Sequence, residues 1–402
     1  MIINFDYDAI VVGAGHAGTE AAHALATLGK NTLMLCLNKK VMANLPCNPS
    51  IGGSAKGIVV REIDALGGIE GKLADKTALQ MKVLNMSKGP GVRSLRAQED
   101  KVDYPKAVLA YMEKVKNLTI KEGMAVDLIV DDDKSIRGVV MEDGSRITSK
   151  VVVLTTGTHM ESLILRGHVV KEGGPDGEKA SHGLSQALKN LGIELLRLKT
   201  GTPPRIKRDS IDFSKLEPQP GTPGQWAFSY DTNEFLPVEK MIMCYLTYTT
   251  HETHKIILDH LQDSAMYGGV VKGVGPRYCP SIEDKVVRFK DHPRHMLFVE
   301  PESIHTDSIY LQGFSTSMPV ELQGPMVHSL PGFEHAEFLK YAYAIEYDAI
   351  QPLQVQRNLM IRNHPGLFIA GQILGTSGYE EAAGAGLLAG INASLYLSLI
   401  HI

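Results

Sequence analysis

The sequence has little of what marks a secreted, disulfide-stabilised or strongly basic protein. Its 4 cysteines lie at irregular spacing in 402 residues, which does not indicate a disulfide framework. The N-terminal segment contains Asp6 and shows no apolar signal core with a cleavage site, so we expect a cytoplasmic protein. The formal net charge is −4, so any nucleic acid would have to be bound by local basic patches.

The rest of the composition is that of an ordinary globular protein rich in glycine. Hydrophobic residues make up 44% and charged residues 21% of the chain, which is long enough for one large domain or two ordinary ones. The 39 glycines favour tight turns and close approach of the backbone to a ligand.

The final segment, residues 386–402, is almost as long and apolar as a short membrane span. Asn392, Ser394, Ser398 and His401 would be costly in lipid, so we predict a buried helix and no membrane contact. The segment ends on an apolar run without a helix-stop signal, so we expect the chain to continue in the intact protein.

The beginning of the chain predicts an α/β fold with a parallel sheet. Apolar runs at residues 7–12 and 31–37 are typical of buried strands, and residues 19–28 between them have helical character. The GxGxxG dinucleotide fingerprint lies between the first strand and the helix, formed by Gly13, Ala14, Gly15, His16, Ala17 and Gly18. Its glycines allow the turn, the approach of the backbone to a pyrophosphate and close helix–strand packing. Asn38 replaces the acidic residue expected about 20 positions on and can still bond a ribose hydroxyl.

Two later segments favour FAD over NAD at this fingerprint. After a β-meander predicted over residues 118–149, the first of these segments, residues 151–157 (VVVLTTG), looks like a strand that runs into a Thr/Gly turn, as flavoproteins use to close the cofactor cleft. Residues 367–381 (LFIAGQILGTSGYEE) predict a strand and then a helix whose N-terminus can stabilise reduced flavin. The fold prediction is therefore a Rossmann-like, glutathione-reductase-like FAD-binding domain, with a parallel sheet and a β-meander.

A change of rhythm near residue 200 predicts an inserted α+β domain. Residues 200–225 are rich in proline, glycine and charge. We assign residues 1–200 to the first part of the FAD domain, 201–273 to an insert associated with substrate or NAD, and 274–402 to the return of the FAD domain.

Cys47 and Cys279 are candidates for chemistry. Both lie in loops next to proline and precede a Pro-Ser-Ile, and Arg277 and Lys285 near the second one favour a thiolate. Inert buried cysteines are an equally weighted alternative. Cys36 and Cys244 lie in apolar strand runs, which predicts a structural role.

Other patterns are weaker. The residues His251-Glu252-Thr253-His254 are one position too close for a zinc-protease motif, so we expect no metal there. Two basic stretches would contact RNA phosphates or be solvated charge; they contain Lys82, Lys88, Arg93 and Arg96 and then residues 205–208. Trp226, Phe228 and Tyr230 alternate on a possible strand and would pack in a core or stack on bases.

Several longer stretches of the chain form distinctive motifs. They are GAGHAGTEAA, LPCNPSIGGSAKGIVVREIDALGG, NMSKGPGVRSLRAQ, LKTGTPPRI, GVGPRYCPSIEDKVVRF, YAIEYD and GYEEAAGAGLLAG. These stretches resemble the glucose-inhibited division protein A family of tRNA uridine 5-carboxymethylaminomethyl modification enzymes, and the similarity runs from residue 5 to about 396.

The resemblance implies a homodimeric flavoprotein that acts on tRNA with a GTPase partner, methylene-tetrahydrofolate, NADH, and glycine or ammonium. The family's C-terminal helical domain, which contributes to partner and tRNA binding, is missing from this chain, so GTPase binding is expected to be weak or absent. Implied FAD contacts fall on the fingerprint, Ala125, Ser181 and Gln372. Implied NAD contacts fall on Gly275, Pro276, Arg277, Tyr278, Pro280, Ser281, Ile282, Glu283, Asp284, Lys285, Val286, Val287, Arg288 and Phe289.

Two cysteines suit this chemistry because C5 of uridine is a poor nucleophile. Addition of a thiolate at C6 makes C5 nucleophilic toward a one-carbon unit, and a second acid/base must then remove the C5 proton. Cys47 and Cys279 fill these roles in an order that the sequence leaves open. Two alternatives remain open: a folate- and FAD-dependent tRNA uridine C5-methyltransferase, and an inactive flavin-binding fragment or RNA-binding module.

Overall fold

The computed structural model describes residues 5–275 and 280–399. The strands of this part, in chain order, are β1 Tyr7–Val12, β2 Thr32–Cys36, β3 Ser50–Gly52, β4 Ala78–Leu84, β5 Ser94–Glu99, β6 Leu118–Glu122, β7 Ala125–Val130, β8 Ile136–Met141, β9 Arg146–Leu154, β10 Leu163–Arg166, β11 Val169–Glu172, β12 Leu195–Thr202, β13 Arg205–Lys207, β14 Glu217–Gln219, β15 Cys244–Tyr248, β16 Met296–Pro301, β17 Ser308–Gln312, β18 Phe338–Lys340, β19 Tyr343–Ile350 and β20 Leu367–Ile369. The α-helices are α1 His16–Thr27, α2 Lys56–Ala65, α3 Glu70–Thr77, α4 Asp103–Met112, α5 Leu184–Asn190, α6 His251–Asp259, α7 Ile282–Arg288, α8 Val320–His328 and α9 Tyr379–Leu397.

A parallel sheet with a β-meander forms the first layer, and it confirms the predicted Rossmann-like α/β fold. β1 pairs in parallel with β2 and β9, and β20 joins the other edge of β9 in parallel. The first half of β9 instead pairs antiparallel with β8, which pairs with β7, so one long strand serves both the sheet and the meander. The predicted meander began too early, because β6 pairs in parallel with β2.

The described residues form three further sheets. A four-stranded sheet has the order β11-β10-β19-β12, a six-stranded sheet the order β14-β15-β16-β17-β13-β18, and a three-stranded sheet the order β3-β5-β4. The predicted domain boundary at residue 273 stays a prediction, and the six-stranded sheet takes strands from both sides of that residue.

The predicted aromatic strand around Trp226 does not form. Residues 220–237 are irregular. Phe228 is buried in the hydrophobic core that contains residues of β1, α1 and α9, whereas Tyr230 is 78% exposed. Asp75 accepts hydrogen bonds from the backbone N–H groups of Phe228 and Ser229, which replaces strand pairing as the local support.

Helices α1 and α9 pack side by side at unusually close range. A Cβ atom added to Gly386 would lie 2.0 Å from the carbonyl oxygen of Ala17, and one added to Gly390 would lie 2.5 Å from that of Ala21. The predicted C-terminal helix is therefore confirmed as a helix that buries its small residues against α1. Among the described residues, each helix is too short or too polar to cross a bilayer.

The α1–α9 contact generates a prediction about Gly386. Gly386→Ala should destabilise the protein by about 1–3 kcal/mol, because the new methyl group meets rigid backbone rather than a mobile side chain. Gly384→Ala is the matched control: its methyl group would lie 3.7 Å from Ile63 and Val59 side chains, an ordinary contact, and helix propensity favours alanine by about 1 kcal/mol. Urea unfolding followed by circular dichroism compares the two, and equal stability of both variants would contradict the close packing.

Candidate functional site

A cavity of about 440 Å³ opens at the carboxyl ends of β1, β2 and β9, within the size range of small-molecule and cofactor sites. The structure brings most of the sequence-predicted residues to its wall. The lining includes Gly13, Ala14, Gly15, His16, Ala17, Asn38, Cys47, Ala125, Ser181 and Gln372. Gly18 lies behind the wall, where its role is packing.

The fingerprint glycines have the geometry of a dinucleotide cradle. Gly13 has a φ of +107°, and a Cβ atom there would lie 2.3 Å from the carbonyl oxygen of Thr155. A Cβ atom on Gly18 would lie 1.9 Å from the carbonyl oxygen of Gly13. By contrast, a Cβ atom on Gly15 would meet nothing within 4 Å, so that position faces open space.

The N-terminus of α1 is built to receive an anion. Its N-cap residue, Gly15, offers no side-chain hydrogen bond to the first turn, and no acidic side chain lies in that turn. The N–H groups and partial positive charge of a helix start attract phosphate. The residues present therefore fit the pyrophosphate of a dinucleotide cofactor.

Asn38 and Gln372 both line the cavity. The Asn38 side-chain oxygen accepts from the backbone N–H of Lys40, at 2.9 Å, so a ribose hydroxyl would be met by the amide N–H groups. Gln372 follows β20 in a turn that begins at Gly371. Gly371 has a φ of +82°, and a Cβ atom there would lie 2.7 Å from the Cβ atom of Ala17 of α1. This return of the chain to the fingerprint is the feature that the sequence predicted for a flavin site.

The loop of Cys47 is held by its backbone. The Tyr379 hydroxyl accepts from the N–H groups of Cys47 and Asn48 at 2.8 and 3.2 Å, while the Tyr310 hydroxyl donates to the carbonyl oxygen of Cys47. Arg205 donates to the carbonyl oxygen of Pro46 at 2.8 Å. Since these bonds use backbone groups, they fix where the half-buried Cys47 side chain starts without specifying the side chain itself.

Two arginines predicted to contact RNA phosphates are internal instead. Arg205 is 2% exposed and pairs with Glu302 at 3.0 Å, and its guanidinium lies 4.8 Å from the ring centre of Tyr310. Arg96 pairs with the fully buried Glu300 at 2.6 Å. Arg96 therefore links the three- and six-stranded sheets, Arg205 holds the Pro46 carbonyl and Glu302, and the phosphate role is wrong for these two side chains.

Of the other cysteines, Cys36 and Cys244 are buried, and Cys279 lies outside the described residues. Burial raises the pKa of Cys36 to about 11 and that of Cys244 to about 12, so both thiols stay protonated at neutral pH, as expected of structural residues. Cys279 lies outside the described residues, together with Pro276, Arg277 and Tyr278 of the predicted NAD segment.

The described remainder of the predicted NAD segment supports the fold around the six-stranded sheet. Ser281 caps α7 in a reciprocal arrangement with Asp284, and Ile282 and Val286 belong to the core of this region. The buried Glu283 accepts from the Thr316 hydroxyl at 2.8 Å and from the backbone N–H of Ser317 at 3.0 Å. Residues 280–289 do not line the cavity, and their NAD role stays a prediction.

Sequence reasoning missed a group of buried acids behind His16. Glu20, on α1, accepts from the backbone N–H groups of Ile69 and Glu70, at 2.8 Å each. Burial raises the pKa of Glu20 to about 8, against these bonds, which lower it. Burial also raises the pKa of Glu70 well above its usual range and lowers the pKa of His16 to about 4. Helical periodicity places Glu20 and the other acids on their helices but does not show that they converge.

Comparisons with known proteins agree with one another. The family described as glucose inhibited division protein A matches residues 8–400. The curated tRNA uridine 5-carboxymethylaminomethyl modification enzymes MnmG of Acholeplasma laidlawii and Mycoplasma capricolum are 57% and 54% identical over 389 residues, which is 97% of this chain. The solved structure of Aquifex aeolicus GidA in its form II crystal is 44% identical, with a TM-score of 0.93 over the whole chain.

These relatives are longer than the chain. It spans 63% and 62% of the two curated proteins and 65% of the Aquifex chain. The similarity therefore concerns the region that holds the cavity.

The buried acids generate a prediction about pH. A group whose folded-state pKa is raised adds stability that is complete below its unfolded pKa and is lost as the pH rises toward the folded value. Glu20→Gln should therefore gain stability relative to the wild type as the pH rises from about 4.5 to about 8, at roughly 1 kcal/mol per unit. Thermal unfolding across this range measures the difference, and a constant difference would show that Glu20 ionises normally.

Proposed function

Since the chain belongs to the glucose inhibited division protein A family, we propose that it is the flavin-binding, substrate-binding part of an enzyme that modifies the wobble uridine of tRNA. One observation carries this proposal: Cys47 and the dinucleotide fingerprint line the same cavity. A nucleophilic side chain and a redox cofactor would then act on one substrate.

FAD is the proposed resident cofactor, with Gly13 to Ala17 at its pyrophosphate. When bound, it would supply the redox chemistry that fixes a one-carbon unit on the base. NADH is the proposed reductant, methylene-tetrahydrofolate the one-carbon donor, and glycine or ammonium the amine. The Cys279 segment remains the proposed NAD contact on the strength of the family resemblance.

Cys47 is proposed to act on the uracil ring. Its thiolate would add to C6, which makes C5 nucleophilic, and it would leave again once a base has taken the C5 proton. The backbone bonds from Tyr379, Tyr310 and Arg205 would hold the attacking sulfur at a constant starting point during both steps. Cys279 is the proposed second acid/base, and the opposite assignment of the two cysteines is equally open.

The setting of this activity follows from the family and remains a proposal. It comprises a cytoplasmic homodimer, a tRNA substrate and a GTPase partner. The product distinguishes the nearest alternative: nucleoside mass spectrometry of treated tRNA should show a carboxymethylaminomethyl- or aminomethyl-type group at C5, whereas a methyl group would indicate a folate-dependent methyltransferase. Flavin reduction without any RNA product would indicate a binding module.

The cofactor assignment predicts a yellow protein that binds FAD in preference to FMN. Gly15→Val should abolish FAD binding while preserving the fold, because its side chain would enter the open space of the cavity rather than neighbouring atoms. Gly91→Val is the control, since that position is equally open and lies outside the cavity wall. Absorbance titration with FAD compares the two variants, and equal affinity for FAD in both would contradict binding of the pyrophosphate at the fingerprint.

The nucleophile assignment predicts that Cys47→Ser keeps FAD but loses tRNA modification. Serine is nearly isosteric, yet its much higher pKa leaves almost no anion to attack C6. Cys244→Ala is the control, since Cys244 is buried outside the cavity wall. The rate of nucleoside formation should fall by at least about 100-fold for Cys47→Ser only, and a wild-type rate would exclude covalent attack by Cys47.

A further inference from the structure

His16 and Glu70 form a hydrogen-bonded pair that reaches from the cavity into the core. His16 lies in the first turn of α1 and contributes to the cavity wall, whereas Glu70 begins α3 and is 1% exposed. The His16 Nδ1 atom is 3.0 Å from Oε1 of Glu70. A nitrogen and an oxygen at this distance share one hydrogen, which either partner can carry.

The other polar atoms of this pair are buried. Nε2 of His16 and Oε2 of Glu70 have no hydrogen-bond partner among the described residues, and the backbone of Asn44 lies beside the His16 ring. The His16 ring stacks on the rings of Tyr379, at 4.5 Å, and Tyr104, at 5.8 Å between ring centres. These aromatic contacts hold the imidazole in place.

One cation and several carboxylates surround the pair. Lys56, from α2, pairs with Glu380 and Glu381 of α9 at 2.7 and 2.9 Å, so this cation is shared by two carboxylates before it acts on Glu70. Glu20, from α1, and Glu99, from β5, are buried acids that interact with the charge of Glu70. Glu380 faces both His16 and Glu70. Burial and the carboxylate of Glu380 both raise the pKa of Glu70, and burial keeps His16 neutral, so the pair holds one proton near neutral pH.

We propose that the His16–Glu70 pair stores one proton, and that negative charge on the molecule bound in the cavity strengthens its retention. When the pair loses this proton, the Oε–H bond of Glu70 breaks as Nδ1–H of His16 forms, and the Nε2–H bond of His16 breaks as a water molecule gains the proton. One proton leaves the pair for the solvent, Glu70 becomes a carboxylate, and no electrons move within the protein. The reverse steps refill the pair.

This inference rests on the proposed flavin function, because electrons entering the cofactor are the source of the negative charge. Adding charge to the cavity should strengthen the hold of the pair on its proton. Reduction of bound FAD should therefore draw extra protons from solution in the pH range where the pair has begun to lose its proton. Glu70→Gln keeps a hydrogen-bonding side chain but cannot titrate, so it should lack this uptake.

The test measures protons taken up per flavin reduced. Protein loaded with FAD is reduced electrochemically in weak buffer with a pH indicator, from about pH 6 to about pH 10. The wild type should exceed Glu70→Gln by a large fraction of one proton in part of this range. Glu300→Gln is the matched control, because Glu300 is equally buried and its pKa is also raised, but it lies outside the cavity wall and pairs with Arg96.

The outcomes separate the inference from the function on which it rests. Coincident uptake curves for the wild type and Glu70→Gln, in proteins that both bind FAD, would overturn the proton role alone. Failure of the wild type to bind FAD would overturn the proposed function and this inference with it. If Glu70→Gln does not fold, His16→Gln decides the matter. This change removes the imidazole that shares the proton with Glu70 and should lose the same uptake, so retention of the uptake would exclude the pair.

Discussion

Close approach of the α1 backbone to its neighbours is the constraint on which the cavity depends. Gly13 and Gly18 let the start of the helix lie against the end of β9, where any side chain would meet the carbonyl oxygen of Thr155 or of Gly13 itself. Gly386 and Gly390 let α9 approach from the other side. With contacts this short, small shifts of α1 are costly, and so the helix N-terminus stays aimed at the space that the cofactor would occupy.

The wall opposite α1 is assembled from distant parts of the chain. The Cys47 loop depends on Tyr379 from α9 and on Arg205 and Tyr310 from the six-stranded sheet. Arg205 in turn depends on Glu302, which also accepts from Ser308. A change in any of these residues would reach the thiol through backbone hydrogen bonds, although none of them belongs to the fingerprint.

Sequence reasoning succeeded where the signal is local. The strands β1 and β2, the fingerprint and Asn38 follow from short runs of residues and their spacing. Ala125, Ser181 and Gln372 were placed through the family resemblance, and they line the cavity together with Asn38. It failed where the outcome depends on distant partners. Parallel pairing of β6 with β2, the burial of Arg205 and Arg96, and the convergence of Glu70 on His16 all involve contacts that a charge pattern or periodicity does not encode. An arginine beside other basic residues looks like surface charge until its carboxylate partner, about 100 or 200 positions away, is known.

The anchoring of the Cys47 loop to β13 and β17 also makes two surfaces of the molecule thermodynamically interdependent. A macromolecule that binds the six-stranded sheet and displaces either strand must weaken or break the hydrogen bonds to Pro46 and Cys47. Reciprocity then requires that whatever fills the cavity and moves this loop changes the affinity of the sheet for that macromolecule by the same factor. A ligand in the cavity would thus change binding at the outer surface, and Arg205 and Tyr310 would couple the two sites.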